Sequence, residues 1–152
     1  GKAMLFTGKY SLHVDDKGRL RIPQRFRDAI VTTQIYAMYS AGGCISFITE
    51  EEYGSLMQNL GTMITVADTP ALRAARVIMG NTAPLAEDSQ GRFTLPADLK
   101  EKAALGRDVI FVGMGNKIEL WDPQRFEDNI SGVDYDYYCK DKFAAINGEI
   151  IF

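Results

Sequence analysis

Two short stretches of the sequence repeat one spacing of acidic, glycine and arginine residues. The first stretch reads DDKGRLRIP from residue 15, and the second reads DSQGRFTLP from residue 88. An aspartate followed by glycine and arginine suits a tight turn in which the carboxylate binds backbone N–H groups and anchors the arginine. The same residue types also suit a cationic loop that binds an anion. Each copy is therefore predicted to form either a structural turn or an anion-binding loop.

The first copy carries more positive charge than the second. The strand period of two places Arg19 and Arg21 on one face, and Lys17 lies in the adjoining turn. Arg25 and Arg27 follow without an intervening acidic residue. Because salt screens charges over about 8 Å, the net charge of -3 does not exclude a phosphate-binding surface here. This basic strip predicts contact with a nucleic-acid backbone, and the alternative is an ordinary solvated basic face.

The second copy has lost most of this charge. Arg92 keeps its place, but Glu87 and Asp88 precede the turn, and Asp98 and Glu101 occupy the segment that follows. Anions would be attracted less strongly to this copy. We therefore interpret the first copy as the main nucleic-acid contact and the second as leaning towards structure or assembly.

These observations give two sets of candidate site residues. Glycine supplies the positive φ that such a turn needs, and we favour the anchoring role for the two aspartates. The turn residues are Asp15, Gly18, Asp88 and Gly91. The candidate DNA-binding residues are Lys17, Arg19, Arg21, Arg25 and Arg92.

The two motifs belong to a longer internal repeat. A single offset of 73 residues, without gaps, aligns Asp15 with Asp88 and also Gly42 with Gly115. The apolar run at 35–40 falls on the run at 108–113. One offset held over this length indicates two copies of one supersecondary unit, which are expected to bury their apolar faces against each other.

Each copy predicts the order hairpin, helix, hairpin. The alternating runs on either side of DDKG predict a β-hairpin, and Pro23 and Pro96 suit the first position of a helix. Apolar residues four apart then give each short helix a buried stripe. A second hairpin is predicted around each following glycine turn. The stripe residues are Phe26 with Ile30, and Leu99 with Ala103.

Three further helices have recognisable starts. Thr49 and Glu52 form a capping box, Thr69 precedes Pro70, and Asp122 precedes a proline. The helix from Pro70 is predicted to stop at Gly80 and Asn81. The last stretch has no clear period, and we interpret it as a weakly ordered or partner-dependent tail.

The predicted division of the chain has four parts. Residues 4–53 form the first unit, 54–80 a helical insert, 81–130 the second unit and 131–152 the tail. Residues 1–3, before Met4, are interpreted as an addition that remains from expression.

Composition argues against catalysis, metal binding and membrane insertion. His13 is the lone histidine of the sequence. The residues around it form neither the G-x-S-x-G motif of a serine nucleophile nor the H-E-x-x-H motif of a zinc site. Cys44 and Cys139 stand far apart and are interpreted as reduced thiols. No apolar run approaches the roughly 20 residues of a membrane span, and the start lacks a signal sequence. We therefore expect a cytoplasmic protein that is not an enzyme and has no cofactor or metal.

Three segments together resemble the MraZ family. They are MLFTGKYSLHVDDKGRLRIPQRFR near the start, DSQGRFTLP after the helical insert, and GMGNKIELWDPQRF near residue 120. The resemblance covers residues 4 to about 130. Its specificity comes from two D-x-x-G-R motifs at this separation, each with proline four residues after the arginine, followed by LWDP.

The resemblance implies a fold and a function. The fold would be α+β, with two tandem pseudo-symmetric β-hairpin/helix/β-hairpin units of the swapped-hairpin AbrB and SpoVT type. These units would form one compact, β-barrel-like core with added helices. Members of the family assemble into rings and bind short direct repeats of double-stranded DNA upstream of their own operon, which encodes cell-division and cell-wall functions. This chain is accordingly expected to act in the nucleoid and to repress that operon.

The alternative function is a ring-forming protein-interaction scaffold without specific DNA binding. Seven apolar residues would supply its assembly surface, although strand and helix spacing makes most of them core candidates. They are Phe47, Ile48, Tyr53, Leu56, Met57, Trp121 and Phe126.

Overall fold

The computed structural model describes residues 5–30, 33–64 and 66–147, which form an α+β fold. This confirms the predicted class. The strands are β1 (Lys9–His13), β2 (Leu20–Arg21), β3 (Ile35–Ser40), β4 (Cys44–Thr49), β5 (Thr82–Pro84), β6 (Arg92–Phe93), β7 (Asp108–Gly113) and β8 (Ile118–Trp121). The helices are α1 (Gln24–Ile30), α2 (Glu50–Met63), α3 (Pro70–Gly80), α4 (Ala97–Lys102), α5 (Pro123–Ile130), α6 (Tyr135–Tyr137) and α7 (Ala144–Asn147), with a π-helical turn at Tyr138–Phe143.

The main sheet is antiparallel and open. Its six strands run in the order β1-β7-β8-β4-β3-β5, so β1 and β5 are its edges. The two remaining strands, β2 and β6, pair only with each other and form a separate ribbon. The prediction of a β-barrel-like core was therefore wrong. Strands of two residues are too short to join the edges of the main sheet into a closed wall.

The second hairpin of each unit is confirmed. β3 pairs with β4 and β7 pairs with β8, in each case antiparallel to its sequence neighbour. Gly42 and Gly43 have φ values of 92° and 90° in the first connection, and Gly115 has 77° in the second. These left-handed conformations favour glycine, which explains why the turn residues could be identified from the sequence.

The first hairpin of each unit was predicted wrongly. The turn is present, since Asp15 N donates to Arg19 O at 3.0 Å, but the flanking strands do not pair with each other. β1 pairs instead with β7, and β2 pairs with β6, so both partners come from the other copy. This exchange lets the two copies share one core rather than pack as separate hairpins.

The core lies between the main sheet, the ribbon and the two short helices α1 and α4. The predicted stripes are confirmed, because Phe26, Ile30, Leu99 and Ala103 are all buried. The helices begin at Gln24 and Ala97, one residue after the prolines. Aromatic residues fill the centre of the core, namely Phe6, Phe26, Phe47, Phe93 and Phe111.

The predicted helix starts are confirmed by their caps. Thr49 Oγ1 accepts from Glu52 N at 3.3 Å, and the side chains of Thr69 and Asp122 cap α3 and α5 in the same way. Of the two hydrogen bonds of the predicted capping box, the one from Glu52 N to Thr49 Oγ1 is present. The carboxylate of Glu52 accepts from Asn116 Nδ2 at 3.2 Å instead of returning to the cap residue.

The C-terminal stretch is more regular than its sequence predicts. Residues from Tyr135 to Asn147 form two short helices joined by the π-helical turn, with Asp134 as the first cap. Residues 148–152 of the predicted tail lie outside the described residues. In the described part of the chain, no helix has the length and apolar character needed to cross a bilayer.

Candidate nucleic-acid interface

Asp15 organises the first turn. Its Oδ1 accepts from the backbone N–H groups of Lys17 at 2.9 Å and Arg19 at 2.8 Å. Its Oδ2 accepts from Arg19 Nε at 2.7 Å, and Gly18 has a φ of 75°. One carboxylate thus holds both the backbone of the turn and the orientation of a guanidinium group.

The second turn repeats this geometry. Asp88 Oδ1 accepts from the N–H groups of Gln90 and Arg92 at 2.8 and 2.9 Å, and Oδ2 accepts from Arg92 Nε at 2.8 Å. Gly91 has a φ of 76°. Within the described ranges, the Nη atoms of Arg19 and Arg92 make no hydrogen bond, so both remain available for a ligand.

These contacts keep both aspartates ionised. The backbone N–H of Arg92 is the largest cause that lowers the pKa of Asp88 from 3.8 to about 2, with smaller contributions from Gln90 N–H and the arginine side chain. The backbone N–H of Arg19 similarly lowers the pKa of Asp15. Stability from the Asp88 contacts is therefore present above about pH 4 and is lost as the pH falls through about 2.

Replacing Arg92 by alanine should raise the pKa of Asp88 only part of the way towards 3.8. The variant loses the side-chain bond but keeps the two backbone N–H donors, which include the larger contribution. Carboxyl ¹³C NMR titration measures this pKa, and Asp15 in the same spectra serves as an internal control. A midpoint at the ordinary value in Arg92→Ala would contradict the assignment of the shift to the backbone.

The ribbon of β2 and β6 brings the two motifs together. Leu20 lies opposite Phe93 with both side chains buried, and Arg21 lies opposite Arg92 on the outer face. The strand period therefore places the arginines as predicted, but the structure adds a residue of the second copy beside those of the first. Like charges directly opposite on paired strands are destabilising. Among the residues described, no carboxylate forms an ion pair with Arg21.

Two grooves adjoin the ribbon. One has a volume of about 390 Å³, and besides apolar residues its lining contains one acidic and five other polar or basic residues, namely Asp15, His13, Arg19, Arg21, Gln24 and Arg92. The other, of about 400 Å³, is lined by residues of the ribbon, of α1 and of the second turn, namely Arg21, Gln24, Arg27, Asp28, Ser89, Gln90 and Gly91. We name the three arginines Arg19, Arg21 and Arg92 the arginine ribbon. Arg21 and Gln24 line both grooves.

The remaining candidate residues flank the arginine ribbon. Lys17 is exposed in the first turn, and Arg25 is exposed on α1. Neither forms an ion pair with any residue in the described ranges. Both cations are therefore free to attract an anion.

Arg27 does not share this freedom, although the sequence places it in the basic strip. Its Nη1 donates to Glu87 Oε2 at 2.6 Å and to Gly91 O at 3.2 Å, and the side chain is half-buried. A Cβ on Gly91 would lie 2.5 Å from the same Nη1. Arg27 thus fastens α1 to the second turn, and its charge is compensated. No local pattern reveals this contact, because Glu87 lies 60 residues away.

The surroundings of the histidine and the two cysteines considered for catalysis do not resemble an active site. His13 Nδ1 and Asp108 Oδ1 are 2.6 Å apart on exposed side chains of β1 and β7. Both cysteines are free and buried, and burial raises the pKa of Cys44 to about 12. Across the described residues, no group of three histidine, cysteine or acidic side chains could hold a metal ion.

The residues of the scaffold alternative divide into two groups. Phe47, Ile48 and Trp121 are buried in the protomer. The other four are half-buried, namely Tyr53, Leu56, Met57 and Phe126. Tyr53 stacks on Tyr36 with ring centroids 3.9 Å apart. Most of this set is therefore engaged in internal packing, as its strand and helix spacing indicated.

Comparisons with known proteins agree on one family. Residues 5–73 and 78–134 match the family described as "MraZ protein, putative antitoxin-like". A protein of Thioalkalivibrio sulfidiphilus is 34% identical over 121 residues, which cover 78% of this chain and 80% of the relative. A protein of Lachnoclostridium phytofermentans is 31% identical over 125 residues, covering 82% and 86%.

A third relative extends the similarity almost end to end. A protein of Frankia alni is 30% identical over 148 residues, covering 97% of both chains. All three relatives carry the name "Transcriptional regulator MraZ", which is not the name of an enzyme. The predicted resemblance is confirmed, and the chain belongs to the MraZ family, a family of transcriptional regulators and not of enzymes.

Proposed function

We propose that this protein is a transcriptional regulator that binds specific double-stranded DNA through the arginine ribbon and the two turns beside it. The observation that carries the proposal is the position of Arg21 directly opposite Arg92 on an exposed face. Asp88 pairs with Arg92, but no described carboxylate pairs with Arg21, so part of the repulsion between the two guanidinium groups remains in the free protein and an anion between them is favourable. A DNA backbone supplies anions at regular spacing along an extended surface.

The residues of the site have two roles: some position the protein on the DNA backbone, and others recognise the bases. Lys17, Arg21 and Arg25 contact phosphates, which fixes the register of the protein on the duplex. Arg19 and Arg92 present their Nη atoms towards base edges because Asp15 and Asp88 already hold each Nε. A guanidinium bound bidentately to guanine discriminates by about 1–3 kcal/mol. Fixing the side chain before binding reduces the entropy that the contact would otherwise cost.

We further propose that the protein acts as a ring-shaped homo-oligomer on repeated promoter sites. One protomer offers few base contacts, but linked protomers on tandem sites turn later binding steps into intramolecular ones. Avidity then exceeds single-site affinity by about 10² to 10⁴. Family resemblance supports direct repeats upstream of the protein's own cell-division and cell-wall operon as the target, with repression as the outcome. The site of action would be the nucleoid in the cytoplasm.

The same proposal assigns the fold to the swapped-hairpin AbrB and SpoVT type. The pairing of β1 with β7 and of β2 with β6 supports it, because each copy supplies strands to the other. We propose the division into a first unit at 4–53, an insert at 54–80, a second unit at 81–130 and a tail at 131–152.

Fluorescence anisotropy tests the proposed function. The full chain is titrated against a labelled duplex from upstream of its own gene and against a scrambled duplex of equal length and composition, at several salt concentrations. We expect binding that prefers the native duplex and weakens steeply with salt. Equal affinity for both duplexes would contradict sequence specificity, although it would leave the basic surface a role in non-specific attraction.

One observation favours the scaffold as a second candidate. Several apolar side chains of the C-terminal segment are exposed, including Tyr135 at 62% and Ile146 at 82%. Such side chains suit contact with another protein. The scaffold would take first place if an intact oligomer failed to bind either duplex even at low salt.

A further inference from the structure

Lys100 reaches the first turn from the other unit. It belongs to α4, yet a Cβ built on Gly18 would lie 3.8 Å from Lys100 Nζ. Lys100 follows Arg27 by 73 residues, which is the offset that aligns the two motifs. The two cations are thus equivalents, each lying over the glycine of the opposite copy's turn.

The surroundings of the two cations differ in one decisive respect. Arg27 is compensated by Glu87 at 2.6 Å. The residue that corresponds to Glu87 in the first copy is Val14, which has no charge. Among residues 5–30, 33–64 and 66–147, no carboxylate forms an ion pair with Lys100. The second turn is therefore closed by an ion pair, whereas the first turn has an uncompensated ammonium group beside it.

The positive charge near the first turn is therefore greater than the charge that the residues of the turn supply themselves. Within the turn, Arg19 is paired with Asp15 at 2.7 Å, and Lys17 is a cation without an ion pair among the described residues. Lys100 adds a second such cation from more than 80 residues away in sequence. The ammonium group is a compact charge with three donors on a flexible stem, which suits a phosphate oxygen. Apart from Gly18 and its two chain neighbours, Lys100 Nζ is the one described atom within 4 Å of a Cβ built on Gly18, which leaves room for a phosphate beside the ammonium group.

We propose that Lys100 binds a DNA backbone phosphate at the first turn, where the second unit completes the binding site of the first. This inference rests on the proposed function, since it names a further phosphate ligand of the same surface. Arg27, at the corresponding position, has a structural role, because its contacts with Glu87 and Gly91 join α1 to the second turn. The two motifs then differ in their affinity for phosphate for two reasons. Their own residues carry different charges, and the position that holds Glu87 in the second copy holds the uncharged Val14 in the first.

The salt dependence of DNA binding tests this assignment. Each phosphate contact contributes about 0.9 to the slope of log K against log salt concentration. Lys100→Gln should therefore reduce the slope by about 0.9 for every protomer engaged, and Lys100→Arg should restore it. The matched control is Lys102→Gln, which makes the same charge change on the same helix, at a side chain that lies over the Tyr39 ring at 5.9 Å from its centroid.

The probes are the native upstream duplex and its scrambled counterpart, both titrated against the full chain. Loss of slope on both duplexes in Lys100→Gln, with the Lys102→Gln slope unchanged, would support a phosphate contact. If Lys100→Gln and Lys102→Gln gave equal slopes while the unmodified protein bound steeply, the role of Lys100 would be refuted and the proposed function would stand. If the unmodified protein bound neither duplex, both proposals would fail. Thermal melting of each variant checks that the protein remains folded.

Discussion

Replacing Arg21 by glutamate is expected to weaken DNA binding by at least about 10-fold while leaving the fold as stable as before, or more stable. Arg21 lies opposite Arg92 on the ribbon, so two guanidinium groups face each other there, of which only Arg92 has a carboxylate partner, Asp88, among the described residues. Glutamate converts this into an opposite-charge pair, which favours the fold by about 0.2–1 kcal/mol. Binding changes in the other direction, because loss of a charge-assisted hydrogen bond to a phosphate costs about 1.5–3 kcal/mol, or about 10- to 100-fold in affinity, and the new carboxylate also repels phosphates.

The opposite signs of the two effects make this variant informative. A residue needed only for folding would lower the melting temperature together with the affinity. Lys140→Glu, on the exposed π-helical turn, makes the same charge reversal away from the ribbon and serves as the control. Anisotropy and thermal melting are measured on both variants. Equal affinities for Arg21→Glu and Lys140→Glu would show that the arginine ribbon is not the DNA surface.

The second large effect is expected at Gly113, the last residue of β7. A Cβ at this position would overlap the backbone nitrogen of Thr7 and lie 2.5 Å from the carbonyl carbon of Phe6. Both atoms belong to the main chain, which is held here by hydrogen bonds of 2.7 and 2.8 Å between Phe6 and Gly115. Relief therefore requires the segment before β1 to move, and Phe6 would leave the aromatic core.

Gly113→Ala should consequently lower the free energy of unfolding by about 1–3 kcal/mol, the usual cost of overpacking. Gly54 offers a matched control, because it lies within α2 with nothing within 4 Å of an added Cβ. Gly54→Ala should raise stability by about 0.5–1 kcal/mol, since alanine is the better helix former. Urea unfolding midpoints measure both changes. Two variants with the same sign of change would contradict this reading of the contacts.

Features fixed by neighbouring residues could be predicted from the sequence. The caps at Thr49, Thr69 and Asp122 depend on a side chain and a backbone N–H three residues later. The hairpins of β3 with β4 and of β7 with β8 depend on short glycine turns. In these cases the interacting groups are close along the chain, so a local pattern carries the necessary information.

Strand partners could not be predicted in the same way. The alternation of apolar and polar residues correctly placed Leu20 inwards and Arg21 outwards. Such a pattern indicates which face of a strand a residue occupies, but it does not indicate which strand pairs with it. A tight turn after Asp15 suggested pairing between sequence neighbours. The shared core instead favoured partners from the other copy, and no local residue pattern records that preference.

The candidate site shows the same division. The basic strip identified Lys17, Arg19, Arg21 and Arg25 but also included Arg27, whose charge is compensated by a residue 60 positions away. It omitted Lys100, because the charges of α4 are mixed along the sequence. Contacts between the two copies thus decide that Arg27 is compensated and that Lys100 lies at the first turn, and these contacts become visible only in three dimensions.

The exchange of strands between copies also constrains how the chain folds during synthesis. The last residue of β1, His13, contacts Asp108, 95 residues later, so the ribosome must release most of the chain before β1 has a partner. Until then the first copy exposes an unpaired strand and an incomplete apolar face, which are the features that promote association between nascent chains. Pairing at such a sequence separation is also slow, because loop closure precedes any stabilising contact. A protein with this topology can therefore complete its main sheet only after both copies have been translated.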